Sequence, residues 1–174
     1  MPYSYPEFKQ EVKQHFIDCI PKTSRILDVG PGAGTYGKLL KEAGYNVDCL
    51  EIWGPYVSQF KLQTIYNNVI IGDVRHFDLS SYDYIIMGDV LEHLTFIEAA
   101  SVLNKIENLK IKCLVAVPYM YVQGEYEGNV YEAHHQPDLT PENVLARYPS
   151  LKTLNICKAS NGVPFYGYYI NYNL

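Results

Sequence analysis

The chain has 174 residues, 48% of them hydrophobic, which suits one domain with a sizeable core. Nineteen Asp and Glu against fourteen Lys and Arg leave a formal net charge of −5, so nothing in the composition attracts a phosphate backbone and nucleic acid is a disfavoured partner. No apolar run approaches the ~20 residues of a membrane span, and no early segment has the form of a signal peptide, so a cytoplasmic protein without a membrane partner is expected.

The first element is a helix. Ser4-Tyr5-Pro6-Glu7 has the form of a capping box, with Ser4 as N-cap and Pro6 in the first turn. Phe8, Val12, Phe16 and Cys19 recur at helical spacing until Pro21. From Arg25, apolar runs at 25–30, 47–52, 68–72, 83–88 and 112–118 alternate with helical patterns near 35–43, 55–63 and 95–109. Only a short turn is expected around 74–80, and Thr95-Phe96-Ile97-Glu98 is a second capping box. Strands that are apolar throughout and alternate with helices imply a parallel sheet covered on both faces.

Residues 119–140 show no periodicity, and a loop of that length inside a compact domain usually has a task. Thr140-Pro141-Glu142 then starts a short helix. Two further strands, at 151–158 and 165–172, flank Ser160-Asn161-Gly162, a hairpin signal too short for a crossover helix. The expected fold is therefore α/β: a Rossmann-like, doubly wound, mostly parallel seven-stranded sheet with an antiparallel C-terminal strand. It forms a single domain over 1–174, made of an N-terminal helix (1–22), a core (25–118), a loop and short helix (119–149) and a hairpin (150–174). The four cysteines form no C-x-x-C pair; Cys49 and Cys113 fall in apolar strand runs, and buried free thiols are expected.

Arg25-Ile26-Leu27-Asp28-Val29-Gly30-Pro31-Gly32-Ala33-Gly34-Thr35-Tyr36-Gly37 reads as strand, glycine-rich turn and helix start. Such a turn lets a ligand approach the backbone closely, and Gly32 to Gly37 even fits the dinucleotide pattern G-x-G-x-x-G. Register argues otherwise. A dinucleotide site wants its first glycine directly after the strand, which selects Gly30 and Gly32 and leaves Thr35 in the third glycine place. Asp28 would face a pyrophosphate unfavourably, whereas an ammonium or sulfonium would welcome it.

These residues resemble the first motif of the class I S-adenosylmethionine-dependent methyltransferases, an acidic residue followed by G-x-G-x-G: Asp28-Val29-Gly30-Pro31-Gly32-Ala33-Gly34 matches it throughout. Glu51, closing Val47-Asp48-Cys49-Leu50-Glu51-Ile52, is similar to the acidic residue that binds the ribose hydroxyls. Asp73, in Ile70-Ile71-Gly72-Asp73-Val74, matches a third motif at the adenine, and Asp89, after Tyr84-Ile85-Ile86-Met87-Gly88, a fourth. The resemblance covers about 25–118 and, through topology, the C-terminal hairpin. It implies an S-adenosylmethionine site on Asp28, Gly30, Gly32, Gly34, Glu51, Ile52, Asp73, Val74, Gly88 and Asp89, and a small-molecule methyl acceptor.

Gly88-Asp89-Val90-Leu91-Glu92-His93-Leu94-Thr95 admits three readings: a metal site, a general base with its helper, or polar residues where a buried strand emerges. Methyl transfer from a sulfonium needs an aligned nucleophile and, where required, a base, so no fixed triad is expected. Asp89, His93, His134 and His135 are the catalytic candidates. The tyrosines between Pro118 and Thr140 form either a wall for a sugar-like or aromatic acceptor or the packing of the loop. Small-RNA 3′-terminal 2′-O-methyltransferases hold a divalent ion on an E-x-x-E-H segment and a later histidine. Asp89, Glu92 and His93 stand in those places, with His134 or His135 following and with Asp in place of the first Glu.

The leading expectation is an O- or N-methyltransferase of a small molecule, with a sugar or related metabolite as the candidate acceptor, acting without a metal as a monomer or homodimer. The alternatives are a Mg²⁺- or Mn²⁺-dependent RNA 3′-terminal 2′-O-methyltransferase and a non-catalytic binding module of the same fold.

Overall fold

The structure, a computed structural model, describes residues 2–173. Seven strands form one sheet: β1 (Ile26–Val29), β2 (Val47–Glu51), β3 (Val69–Ile71), β4 (Tyr84–Gly88), β5 (Lys112–Pro118), β6 (Lys152–Lys158) and β7 (Pro164–Ile170). Their order is β3-β2-β1-β4-β5-β7-β6; the first five are parallel, and β7 runs antiparallel to both β5 and β6. This is the expected doubly wound sheet with its antiparallel C-terminal strand. The order reverses between β1 and β4, and in such sheets ligands bind at the carboxyl ends beside that reversal.

The period-2 alternation of each strand divides the core into two layers. Leu27, Val29, Ile85, Met87, Val115 and Val117 face one side, under Val102, Leu103 and Ile106 of α4 (Phe96–Asn108) and Val144 of α5 (Pro141–Arg147). Ile26, Tyr84, Ile86, Leu114 and Ala116 face the other, under Val12 and Phe16 of α1 (Lys9–Cys19) and Leu39 and Leu40 of α2 (Thr35–Glu42). A short α3 (Pro55–Gln59) and a 3₁₀ turn at Leu62–Thr64 follow β2. Thr95 caps α4 through a complete capping box with Glu98, and Thr140 caps α5 ahead of Pro141.

Two local expectations need correction. The Ser4 capping box does not form. α1 begins at Lys9, after Phe8 in the left-handed region at φ 62°, with no side-chain cap. The Ser4 hydroxyl bonds Asp89 instead, and the Glu7 carbonyl accepts from Tyr168, so tertiary partners outbid the local cap. At the hairpin, Gly162 N–H donates to the Ala159 carbonyl and only Gly162 of the turn has positive φ. This is a three-to-five-residue hairpin loop with a left-handed glycine after a turn, not the two-residue Asn-Gly type.

The four cysteines are free, Cys49 and Cys113 buried and Cys19 and Cys157 half-buried. No described helix is long and apolar enough to cross a membrane.

Candidate active site

The carboxyl ends of β1, β2, β3 and β4 open into a cleft of about 600 Å³. Of the residues singled out in the sequence, Gly30, Gly32, Glu51, Ile52, Asp73, Val74, Gly88 and Asp89 line it, with His93 and His135 further along its wall. Asp28 and Gly34 lie behind the lining. Asp28 is buried and accepts a 2.5 Å hydrogen bond from the Tyr66 hydroxyl. Gly34 is the left-handed N-cap of α2, and a Cβ there would strike Ile65 at 2.7 Å.

The glycine loop has few free donors for an anion. Gly30 N–H donates to the Leu50 carbonyl, Ala33 N–H to the Pro2 carbonyl and Gly34 N–H to the Pro31 carbonyl. Gly32 N–H bonds the Glu51 carboxylate. Its own Cβ would lie 2.6 Å from the Pro2 oxygen, so the small loop admits the segment around Pro2 against its backbone. A phosphate needs free N–H groups at such a turn, and this loop has spent them on the chain itself.

The cleft is acidic. Glu51, Asp73, Asp89, Glu98, Glu125 and Glu132 line it, and Arg75 is the one Lys or Arg among its described lining residues. Arg75 is already paired with Asp73 at 2.6 Å and Glu98 at 2.5 Å. Burial alone would raise the Asp73 carboxyl, but the Arg75 hydrogen bonds outweigh it and hold the group below its usual range. Glu51, 3% exposed, accepts from Trp53 N–H at 2.8 Å. Burial pushes it up to about 7 against the pull of the surrounding amides. Asp89 adopts φ 60°, and both its oxygens accept from the Tyr166 hydroxyl at 2.8 Å. Burial raises its pKa, opposed by Ser4, Lys9 and Tyr166.

Burial likewise pushes Asp28 up from 3.8 to about 7. A folded-state pKa above the unfolded one adds stability that is full below the unfolded value and is lost as pH rises through the folded one. Asp28→Asn should therefore gain on the unmodified protein between pH 4 and 8, by about 4 kcal/mol at the upper end. Chemical denaturation across that range checks this, and parallel stability curves would refute it.

Beside the cleft lies a second cavity of about 230 Å³ that shares Tyr3, Ser4, Asp89 and His93 with it and adds Tyr5, Glu92, Tyr121, Gln123 and His134. The His93 and His134 rings are 4.7 Å apart, edge to face. Nδ1 of His93 faces the Ala133 carbonyl at 3.3 Å, and Nδ1 of His134 faces the Tyr121 carbonyl at 2.8 Å. Burial first, then His134, lowers His93 to about 4; burial also lowers His134. Glu92 is 1% exposed, and neither of its carboxylate oxygens has a hydrogen-bond partner. One ligand atom each from Glu92, His93 and His134 lies within 4.8 Å of the others. Asp89 and His135 stand outside that trio: Asp89 turns to Tyr166, and His135 lies exposed on the cleft side.

Most tyrosines of the C-terminal half pack rather than line. Tyr119, Tyr148, Tyr166, Tyr168 and Tyr169 are buried, while Tyr121 and Tyr131 reach the cavities. Sequence reasoning missed the partners behind the site, chiefly Lys9, Tyr36, Tyr66 and Tyr166. One signal was present: Lys9, Val12 and Phe16 form the buried face of α1, and a lysine on an apolar stripe is unusual.

A mostly parallel sheet with an antiparallel end thus places an acidic cleft at its switch point, beside a glycine loop with few free anion donors. A family model described as a methyltransferase domain matches residues 27–110. Among solved structures, the magnesium protoporphyrin IX methyltransferase of Synechocystis PCC 6803 with bound S-adenosylmethionine is 13% identical, with TM-score 0.66 over 95% of this chain and 79% of that one. An S-adenosylmethionine-dependent methyltransferase from Clostridium acetobutylicum ATCC 824 is 12% identical, with TM-score 0.66 over 97% and 91%. A glycopeptide N-methyltransferase complexed with S-adenosylmethionine is 13% identical, with TM-score 0.65 over 95% and 94%. No curated protein matches by sequence. Residues 27–110, just under half of the chain, thus match a methyltransferase domain, and the whole chain has the fold of S-adenosylmethionine-dependent methyltransferases.

Proposed function

We propose that the enzyme moves the methyl group of S-adenosylmethionine, bound in the larger cleft, to an oxygen or nitrogen of a small polar molecule held in the smaller one. A sugar or related metabolite suits the walls best. The carrying observation is the pair of adjoining cavities, about 600 and 230 Å³, that meet at Asp89 and His93. The smaller one suits a single ring, with Tyr5 and Tyr121 offering apolar faces and Gln123 a polar edge. The acidic lining favours a ligand carrying a sulfonium and an ammonium, and disfavours a polyanion such as RNA. The free cysteines fit a reducing, cytoplasmic setting.

Transfer is an in-line displacement. The acceptor lone pair attacks the methyl carbon, the C–S bond breaks, and its electron pair returns to sulfur, which becomes a neutral thioether. A proton leaves the acceptor. His134 is the better base, because its Nδ1 is engaged by Tyr121 and Nε2 remains to accept. His93, at about 4, is too weak a base to take a proton efficiently near neutral pH. Calorimetry with S-adenosylmethionine, followed by labelled-methyl transfer to a panel of sugars and amines, tests the reading. A protein that binds no S-adenosylmethionine would end it.

A second reading is favoured by one observation. Glu92 has two buried carboxylate oxygens without partners, beside two imidazoles whose Nδ1 atoms are anchored on carbonyls. That is how metal-ligating histidines are usually oriented, and the donor set fits a divalent ion, Mn²⁺ better than Mg²⁺. Glu92, His93 and His134 would hold the ion, which would polarise an acceptor hydroxyl. Under this reading Mn²⁺ binds the protein in calorimetry and Glu92→Gln weakens it by about tenfold or more. Mn²⁺ binding that is absent, or indifferent to that substitution, removes the metal.

A further inference from the structure

Residues 2–8, ahead of α1, lie outside helix and strand and run along both cavities. Pro2, Tyr3 and Ser4 line the larger cleft, and Tyr3, Ser4, Tyr5 and Pro6 line the smaller cavity. The segment is tied by hydrogen bonds at two points. The Pro2 carbonyl accepts from Ala33 N–H at 2.9 Å, and the Glu7 carbonyl accepts from the Tyr168 hydroxyl at 2.7 Å. Between them, Tyr3, Ser4 and Tyr5 make no backbone-to-backbone hydrogen bond among the described residues. That stretch rests on rings instead. Tyr3 stands edge-on to Phe60 with centroids 5.9 Å apart, and Tyr5 lies 5.5 Å from Phe165 and 5.1 Å from Tyr166. Tyr3 is 60% exposed and Tyr5 39%.

Each ring contact is worth little, so a stretch held by three of them and no ladder opens far more readily than the sheet beneath it. Phe8, at φ 62°, turns the chain between this segment and α1. A ligand shifts such an opening only through contacts that it makes with one state and not the other. A molecule in the larger cleft meets Pro2, Tyr3 and Ser4 when the segment is down and loses them when it lifts, so occupancy favours closure. The same closure finishes the smaller cavity. Its other walls are the turn after β4, with Asp89, Glu92 and His93, and the loop that carries Tyr121, Gln123 and His134.

We propose that residues 2–8 are a strap that bound cofactor holds shut, and that the shut strap completes the acceptor cavity, so that the cofactor binds before the acceptor. The inference rests on the larger cleft being the cofactor site. Tyr5 separates a strap from a fixed wall. It lines the smaller cavity and not the larger cleft, so any effect it has on the cofactor is transmitted along the segment.

Hydrogen exchange on the unmodified protein reads the strap directly, with the demethylated cofactor product as ligand so that no methyl acceptor is needed. Saturating product should slow the Ser4 and Tyr5 amides by about fivefold or more, while the amides of β6, at the far edge of the sheet, keep their rates. Tyr5→Ala removes two of the three ring contacts and should raise the dissociation rate of labelled product about fivefold, measured by chase with unlabelled product. Tyr5→Phe keeps the ring and should stay within about twofold of the unmodified protein. Strap amides that exchange equally with and without product would overturn the proposal. So would a dissociation rate that Tyr5→Ala leaves unchanged. Slowing spread evenly over the strap and β6 would show general stabilisation in place of closure, and would overturn it too. If the unmodified protein did not bind the product, the cofactor-site reading would fall first and this inference with it.

Discussion

Glu51→Ala is expected to weaken S-adenosylmethionine binding by about a hundredfold, the loss of two hydrogen bonds to a charged group at roughly 1.5–3 kcal/mol each. Glu51 closes β2 at the cleft, and the Trp53 and Gly32 amides fix its carboxylate from the protein side. Nothing else on that strand end offers two acceptors to a ribose diol. The same substitution removes a buried carboxylate that the fold holds at a desolvation cost, so the melting temperature should stay level or rise. This split between affinity and stability distinguishes a binding residue from a structural one. Because the Glu51 carboxyl is pushed up to about 7, affinity that depends on its ionised form should also decline as pH falls below that value. Calorimetry at pH 6 and 8 checks both effects; a dissociation constant within threefold of the unmodified protein would place the ribose elsewhere.

The sheet was legible in the sequence because buried parallel strands leave unbroken apolar runs, and each run here coincides with a strand. Caps that act locally were legible too: Thr95 and Thr140 bond residues three positions away, and both cap as expected. Ser4 carries the same local signal and does not cap, because Asp89, 85 positions along the chain, is the better partner. The acidic strand ends could be placed around the cleft for a similar reason, since the carboxyl ends of parallel strands must share one edge. What lay beyond reach was the layer behind them. The Tyr66 hydroxyl on Asp28, the Tyr166 hydroxyl on Asp89 and the Pro2 carbonyl on Ala33 are long-range pairs with no periodicity to announce them. The metal-type segment was half legible: Glu92 and His93 are neighbours in one short turn, but only the path of the 119–140 loop chooses His134 over His135.

Gly88→Ala should cost about 3 kcal/mol of stability, near the upper end for overpacking a filled core. Gly88 does not have positive φ, so its backbone would accept alanine and the penalty is steric. The added Cβ would fall within the edge of the Tyr36 ring, whose hydroxyl accepts from Lys9 on its other side. Tyr36 has little room to withdraw, since it is 3% exposed and in the layer of α1, β4 and β7. If the ring shifts, the Lys9 bond stretches; if it stays, β4 must move away from β1 or β5. Either outcome places Asp89, the next residue, out of register with the cleft. Denaturant unfolding should therefore show a lowered midpoint with an unchanged slope, accompanied by a loss of cofactor affinity beyond what partial unfolding explains. Adding Tyr36→Leu should recover part of both the stability and the affinity, by vacating the ring edge and letting β4 return to its place. Recovery of neither would mean that the Tyr36 ring is not what the added methyl strikes.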